Sequence, residues 1–293
     1  MQIIRKISST NLWLGLAGIL LFGGLFAVFL NLYRTEETAT EAVFFSTNAN
    51  QAGYVEIYTK IITIDPIKGE LVTRLQFSPQ GDWLSADGVS VSKDVELELN
   101  GETGKMRLLF KQGERMNPVD VVLPVYGSLG DYPFDQHQTV LAMHLATQPK
   151  DATSPSLNSA VPYTVNFYAT VLGFHVKVGE TDYESGYSEL TIEFQRSKTV
   201  MIFAIFIMLL QWLLALSALA VTLACLNGRK VEISMFGWMG ALLFAMVPLR
   251  NAMPAVPPVG VFSDFASFFW AIIVVALSLV MSVTIWIVRP APK

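Results

Sequence analysis

Two rhythms of hydrophobic and polar residues divide this chain: unbroken apolar runs towards both ends and strict alternation between them. Residues 12–32 carry no charge. Roughly 21 helical residues span a hydrocarbon core of about 30 Å, so this run predicts a membrane helix. A secretory leader needs an apolar stretch of only about 7 to 15 residues before a small-residue cleavage site; this run is longer and passes into Tyr33-Arg34. Three more apolar runs, 200–226, 233–249 and 268–288, predict three further membrane helices. In the middle one, Gly237, Gly240 and Pro248 call for neighbours packed closely enough to satisfy a weakened backbone.

Across 53–196 the period is two, as in strands with one buried face. Val95, Leu97 and Leu99 alternate with Glu96, Glu98 and Asn100. Beyond Asn100-Gly101 and Gly104, Met106, Leu108 and Phe110 alternate with Lys105, Arg107 and Lys111, which predicts a hairpin. Leu190, Ile192 and Phe194 repeat the alternation immediately before the second membrane helix. Further strands over 54–64, 71–77 and 163–178 are separated by turn residues, as in a sandwich. The acidic stretch 35–41 reads as a solvated linker. The expected fold class is an α+β membrane protein: an extracytoplasmic antiparallel β-sandwich with one transmembrane helix before it and three after. Its segments are 1–34, a linker over 35–52, the sandwich over 53–198 and a three-helix membrane part over 199–293.

Basic residues in short loops set the orientation. Arg5, Lys6, Arg229, Lys230, Arg289 and Lys293 fall on one side if the helices alternate. Both ends are then cytoplasmic, and the sandwich lies outside a plasma membrane. Arg250 falls on the outer side and breaks the pattern. The 52% hydrophobic content of the 293 residues agrees with several membrane spans. A net charge of -4 without a basic, aromatic-rich patch argues against nucleic-acid binding. The single cysteine, Cys225, sits in an apolar run, so no disulfide or cysteine-based metal site forms within one chain.

Chemistry is sparse. The sequence has no phosphate loop, HExxH, GxSxG or Gly-rich dinucleotide fingerprint, so neither an enzyme nor a cofactor is expected. His137 and His144 are an odd number of positions apart on one predicted strand and point to opposite faces, which rules out a shared ion. Asp135 and His137 face the same way, and read as a turn-stabilising Asp beside a half-buried His rather than a metal site. No membrane run carries a charge in its middle, unlike ion-coupled carriers. Gln211, Ser217, Thr222, Ser278 and Thr284 read as hydrogen-bonding partners between helices.

Three motifs follow one another in a telling order. The first is the rigid turn Gly130-Asp131-Tyr132-Pro133-Phe134-Asp135, the second is Phe194-Gln195-Arg196 at the membrane, and the third is Arg250-Asn251-Ala252-Met253-Pro254 with Pro257, Pro258, Gly260 and Asp264. In this order they resemble the pentameric ligand-gated ion channels, or Cys-loop receptors. That resemblance implies that Tyr132, Pro133, Phe134, Asp135, Arg196, Arg250 and Pro254 form a joint between the sandwich and the helices. The bracketing cysteines of those receptors are absent, and 233–249 offers Gly237, Gly240, Phe244 and Val247 where a conducting pore has spaced Ser and Thr. Such a lining resists ions. Over nearly the whole chain the sequence is similar to an uncharacterised microbial family known as domain of unknown function 4436, which implies the fold and brings no activity. For Arg250 and Asp264 two readings stand open: an interfacial ion pair or lipid-headgroup contact, or a coupling joint with the 132–135 turn.

The sequence thus leads to a non-enzymatic membrane protein, with the lipid bilayer as its first partner. Its external sandwich binds a small ligand or partner and communicates with its helices or is simply displayed by them. An oligomeric channel of the pentameric type and an accessory subunit of a membrane complex are the alternatives, and both imply a homo-oligomer or a protein partner.

Overall fold

The computed structural model describes residues 42–46, 52–101, 104–147, 159–169, 171–184 and 187–289, with isolated positions between 20 and 34. The chain divides into two units, Met1–Thr40 and Glu41–Lys293. In the first, Leu20, Gly23, Phe26 and Leu30 are among the described positions and are helical. The rest of the membrane helix expected over 12–32, and the acidic stretch 35–41, lie outside the described residues.

The second unit begins with strands. Eleven are described: β1 Ala42–Ser46, β2 Gly53–Asp65, β3 Glu70–Gly81, β4 Val95–Gly101, β5 Gly104–Phe110, β6 Val119–Pro124, β7 Tyr126–Gly127, β8 Gln136–Thr147, β9 Tyr163–Tyr168, β10 Phe174–Glu184 and β11 Tyr187–Arg196. They form two sheets. The first has the order β1-β9-β2-β3-β6 and the second β10-β11-β8-β4-β5, with β7 added along β8. Alternation sends Val55, Ile57 and Ile61 of β2 and Leu71 and Leu75 of β3 inward from one sheet, against Leu97, Leu141, Leu145 and Ile192 from the other. Each such side chain stabilises the fold by about 1.5–3 kcal/mol when fully buried. The 95–110 hairpin forms as its pattern predicts, with Val95 opposite Phe110 and Leu97 opposite Leu108.

Three expectations are corrected here. The sandwich is not wholly antiparallel, because β9 lies parallel to β2, Val55 opposite Tyr163. The run 163–178, expected as one strand, is two: β9 lies in the first sheet and β10 in the second. Gly173, at φ +86, turns the chain between them, a backbone conformation that glycine adopts without steric cost. Part of the expected linker 35–52 is strand, since β1 pairs antiparallel with β9 from Ala42–Tyr168 to Ser46–Thr164.

Three helices follow: α1 Lys198–Leu226, α2 Ile233–Asn251 and α3 Phe269–Val288. A π-helical turn, Asp264–Phe268, leads into α3 and starts that element earlier than the apolar run suggested. All three are long and apolar enough to cross a membrane, with mean hydropathies of 2.5, 1.5 and 2.7. Polar groups tie α1 to α3 and to the turn that leads into it. Thr222 Oγ1 lies 3.1 Å from the carbonyl of Ser278 and 3.0 Å from Ser282 Oγ, and Trp212 Nε1 donates to the carbonyl of Ala266 at 3.0 Å. Ser267 Oγ donates to Gln211 Oε1 at 2.6 Å. Gln211, Thr222 and Ser278 are ones the sequence marks as interhelical partners, Ser278 through its carbonyl, whereas Ser217 and Thr284 bond within their own helices, to the carbonyls of Leu214 and Val280. At Gly237 and Gly240 the expected neighbour is missing, for an added Cβ at either would meet nothing within 4 Å. The close packing expected there is absent within the described part of one chain, where α2 buries Met239, Leu242 and Met246 instead.

Candidate functional site

No linker separates sandwich from helices. β11 ends at Arg196, and Ser197 alone stands before α1. Ser197 caps the helix, its Oγ accepting from the Val200 N–H at 3.3 Å, while its own N–H donates to the Gly173 carbonyl at 2.9 Å. The cap satisfies one of the four donors that any helix start leaves free.

Arg196 turns back into the sandwich. Its Nε donates to Asp135 at 3.2 Å (Oδ1) and 3.0 Å (Oδ2), and the two side chains are 2% and 0% exposed. Asp135 Oδ2 also lies 2.7 Å from His137 Nε2; an ionised carboxylate can only accept, so the imidazole donates. The His137 ring stacks on Phe194, centroids 5.5 Å apart. The Arg196 guanidinium lies over two rings, 4.8 Å from the centroid of Phe174 and 5.4 Å from that of Tyr132. Burial pushes the Asp135 carboxyl up. The His137 hydrogen bond and the charge of Arg196 outweigh it, so its pKa falls below the ordinary carboxylate value.

Tyr132 belongs to both layers. It precedes Asp135 in the turn after the short helix Leu129–Asp131, with a cis bond to Pro133. Its ring is fully buried in a cluster with Ala204 and Ile207 of α1 and Met253 and Val261 of the α2–α3 loop. Its hydroxyl donates to the Pro254 carbonyl at 2.8 Å. Burial and the Asp135 charge push its pKa up to about 12, against the opposing pull of Arg196 and Arg250. Tyr132 therefore stays a neutral donor at any physiological pH. Beside it, Phe134 reaches out to Phe262, ring centroids 6.0 Å apart and edge-on.

Within the α2–α3 loop, Arg250 and Asp264 form a second buried pair: Nε to Oδ1 at 3.0 Å and Nη2 to Oδ2 at 3.0 Å. Arg250 Nη2 also donates to the Pro258 carbonyl at 2.9 Å, and the Gly260 N–H donates to Asp264 Oδ2 at 2.8 Å. This bidentate clamp fixes the loop that presents the Pro254 carbonyl. Ala255, next to it, holds φ 55, a left-handed conformation unusual for a residue with a Cβ.

The eight residues singled out in the sequence fall into two linked groups. Tyr132, Asp135 and Arg196 form one, with Pro133 between the first two; Arg250 and Asp264 form the other, and the Tyr132–Pro254 hydrogen bond joins them. Phe134 meets the loop through Phe262 rather than through the clamp. Arg250 touches none of the turn's side chains directly by hydrogen bond: its partners are Asp264 and Pro258. His137, expected half-buried beside a turn-stabilising Asp135, is a buried partner of an ion pair instead, and Asp135 serves Arg196 rather than the local backbone. His144 lies on the opposite face of β8, as its spacing predicts. Nothing in the sequence pattern marks Phe174 or Gly127. A Cβ on Gly127, whose φ is +147, would come 2.5 Å from His137 Nδ1, so only glycine lets β7 lie flat against that ring.

Among the described residues no three His, Cys, Asp or Glu side chains gather as a metal site would need. A family model described as a domain of unknown function (DUF4436) matches residues 45–194, and a second, also described as a domain of unknown function (DUF8686), matches residues 196–289. Comparison with curated proteins gave no match.

Proposed function

The chain belongs to the DUF4436 family, and we propose that it is a non-catalytic membrane protein whose β-sandwich, outside the cell, binds a ligand or partner and passes the resulting displacement to its helices. The observation that carries this reading is the Tyr132 side chain, buried among helix and loop residues while its hydroxyl holds the Pro254 carbonyl. A sandwich that is merely displayed needs no such anchor; a soft linker is enough. Here the last strand enters the first helix through one residue, and the turn before β8 grips the loop at the far end of α2. Displacing the second sheet therefore moves two helix ends together, the kind of contiguous packed network that energetic coupling requires.

Hydrogen exchange on the full chain in lipid nanodiscs tests this. Asp135→Asn perturbs only the sandwich side of the junction, and coupling requires that amide protection in the 251–263 loop fall with it. Unchanged loop protection would sink the coupling, and turnover of any substrate abolished by one side-chain change would sink the non-catalytic part.

An oligomeric channel is the second reading, favoured by the uncovered face of α2, where Phe244 is 84% exposed and Val247 46%. Native mass spectrometry in nanodiscs decides it: a ring of copies supports it and a monomer ends it.

A further inference from the structure

We propose that the outer face of the second sheet, with the aromatic cleft beside it, binds a membrane amphiphile with an uncharged polyhydroxyl headgroup: a glycolipid. The strand registers set two rows of side chains on that face. Tyr126, Gln138, Glu193 and Lys177 stand in one row across β7, β8, β11 and β10, and Gln136, Gln195 and His175 stand in the other. Together they line an open groove of about 380 Å³, within the roughly 300–1,000 Å³ of small-molecule sites.

The chemistry of the groove selects its ligand. Each of the three glutamine amides offers an acceptor and two donors, which matches hydroxyls that both give and take a hydrogen bond. Tyr126, 59% exposed, presents a ring face to the C–H face of a sugar. Glu193 and Lys177 oppose each other in register, so the row holds no net positive charge to attract a phosphate.

Gln136 also lines a second cleft, of about 490 Å³, with Ser128, Asp131, Phe134 and Phe262. Phe134 comes from the sandwich, Phe262 stands at the mouth of the last helix, and both rings are about half exposed. They form an apolar wall at the level where that helix begins. Asp131 beside them repels an anionic headgroup. A polar groove and an aromatic cleft that meet at one residue fit a molecule that is polar at one end and apolar at the other. A soluble sugar leaves the phenylalanines unused, and an anionic phospholipid meets Asp131.

The inference rests on the proposed placement of the sandwich at the bilayer surface, and it is independent of whether binding moves the helices. The full chain in phosphatidylcholine nanodiscs is loaded with monoglucosyl diacylglycerol or, separately, with phosphatidylglycerol, and the lipid retained on release is counted by native mass spectrometry. The wild type should retain the glucolipid about tenfold better than phosphatidylglycerol. Tyr126→Ala combined with Gln138→Ala, and separately Phe262→Ala, should each cut that retention about fivefold or more with the unfolding midpoint unchanged. Equal retention of the two lipids, or retention unmoved by these surface substitutions, overturns the proposal. Methyl glucoside bound as tightly as the lipid, with Phe262→Ala silent, assigns the groove to a soluble sugar and also overturns it. Lipid retention reads binding alone and loop exchange in Asp135→Asn reads coupling alone, so a failure of coupling and a failure of binding are told apart.

Discussion

Asp135→Asn is the sharpest perturbation of the junction. The carboxylate accepts from Arg196 Nε at 3.0 and 3.2 Å and from His137 Nε2 at 2.7 Å, with both Asp135 and Arg196 out of solvent. An asparagine in its place keeps one accepting oxygen and turns an amide N–H₂ towards a second donor, so one contact of the three becomes a repulsion. The guanidinium is then buried without an anion. Breaking a buried pair this way costs roughly 3–5 kcal/mol. The rings of Tyr132 and Phe174 over Arg196 remain and each contributes about 0.5–2 kcal/mol, which pulls the expected loss to about 3 kcal/mol. For a unit of this size that is roughly a 6–12 °C fall in unfolding midpoint, read in nanodiscs from the β-sheet band of the infrared spectrum. The double substitution Asp135→Leu with Arg196→Met removes both charges and should recover at least half of the loss. The carboxyl's pKa is lowered in the folded state, so its contribution is complete above the ordinary value of about 3.9 and is lost only as pH falls through the lower folded value. The gap between wild type and Asp135→Asn should therefore hold from neutrality down to about pH 4 and close in stronger acid. A single substitution that costs under about 1 kcal/mol, or a double that sums the two singles, would refute the reasoning.

Three further predictions follow from the same geometry. Tyr132→Phe leaves the Pro254 carbonyl without its donor and should cost about 1–2 kcal/mol, with faster amide exchange in the 251–263 loop as the readout. Gly127→Ala drives a methyl into His137 and strains a φ of +147, so destabilisation of about 1–3 kcal/mol is expected, whereas Gly179→Ala, where the added Cβ meets nothing, should be nearly neutral; equal effects on thermal unfolding would contradict this. Arg250→Lys keeps the charge but not the two-pronged contact with Asp264 and the bond to Pro258, and it should loosen the loop by about 1–3 kcal/mol, measured by proteolysis between 251 and 263.

Much of this was legible where the physics is local. The alternation at Val95, Leu97 and Leu99 fixed a hairpin because one face of a strand must be buried, and the uncharged runs fixed three helices because a bilayer accepts little else. What failed was non-local. The strand-like pattern from Tyr163 to Val178 runs on through Gly173, with Val171, Leu172 and Phe174 around it, so nothing in it says that the chain changes sheets there or that β9 inserts parallel to β2. β1, with Val43, Phe44 and Phe45 in succession, lacks the alternation that marks a strand. At the junction the ionisable residues were identifiable by kind, and Arg250 with Asp264 was open to reading as a pair. The anion of Arg196 lies 61 positions away, and the group at Pro254 that matters is a backbone carbonyl, which every residue has and no sequence marks. The aromatic rings over Arg196 are likewise distant in the chain, because β10 brings Phe174 beside β11 only once the sheet exists.

The passage through Ser197 also bears on heredity. Asp135 lies before β8 and Arg196 at the end of β11, so a genetic crossover anywhere between them takes the anion from one parent and the cation from the other. Where the second parent lacks the matching residue, a descendant inherits a charge sealed away from water with no counterpart. An exchange with its joint between positions 135 and 196 succeeds only when both lineages carry the matching residues, and a sandwich cut free upstream of Arg196 leaves behind the residue that neutralises its own interior.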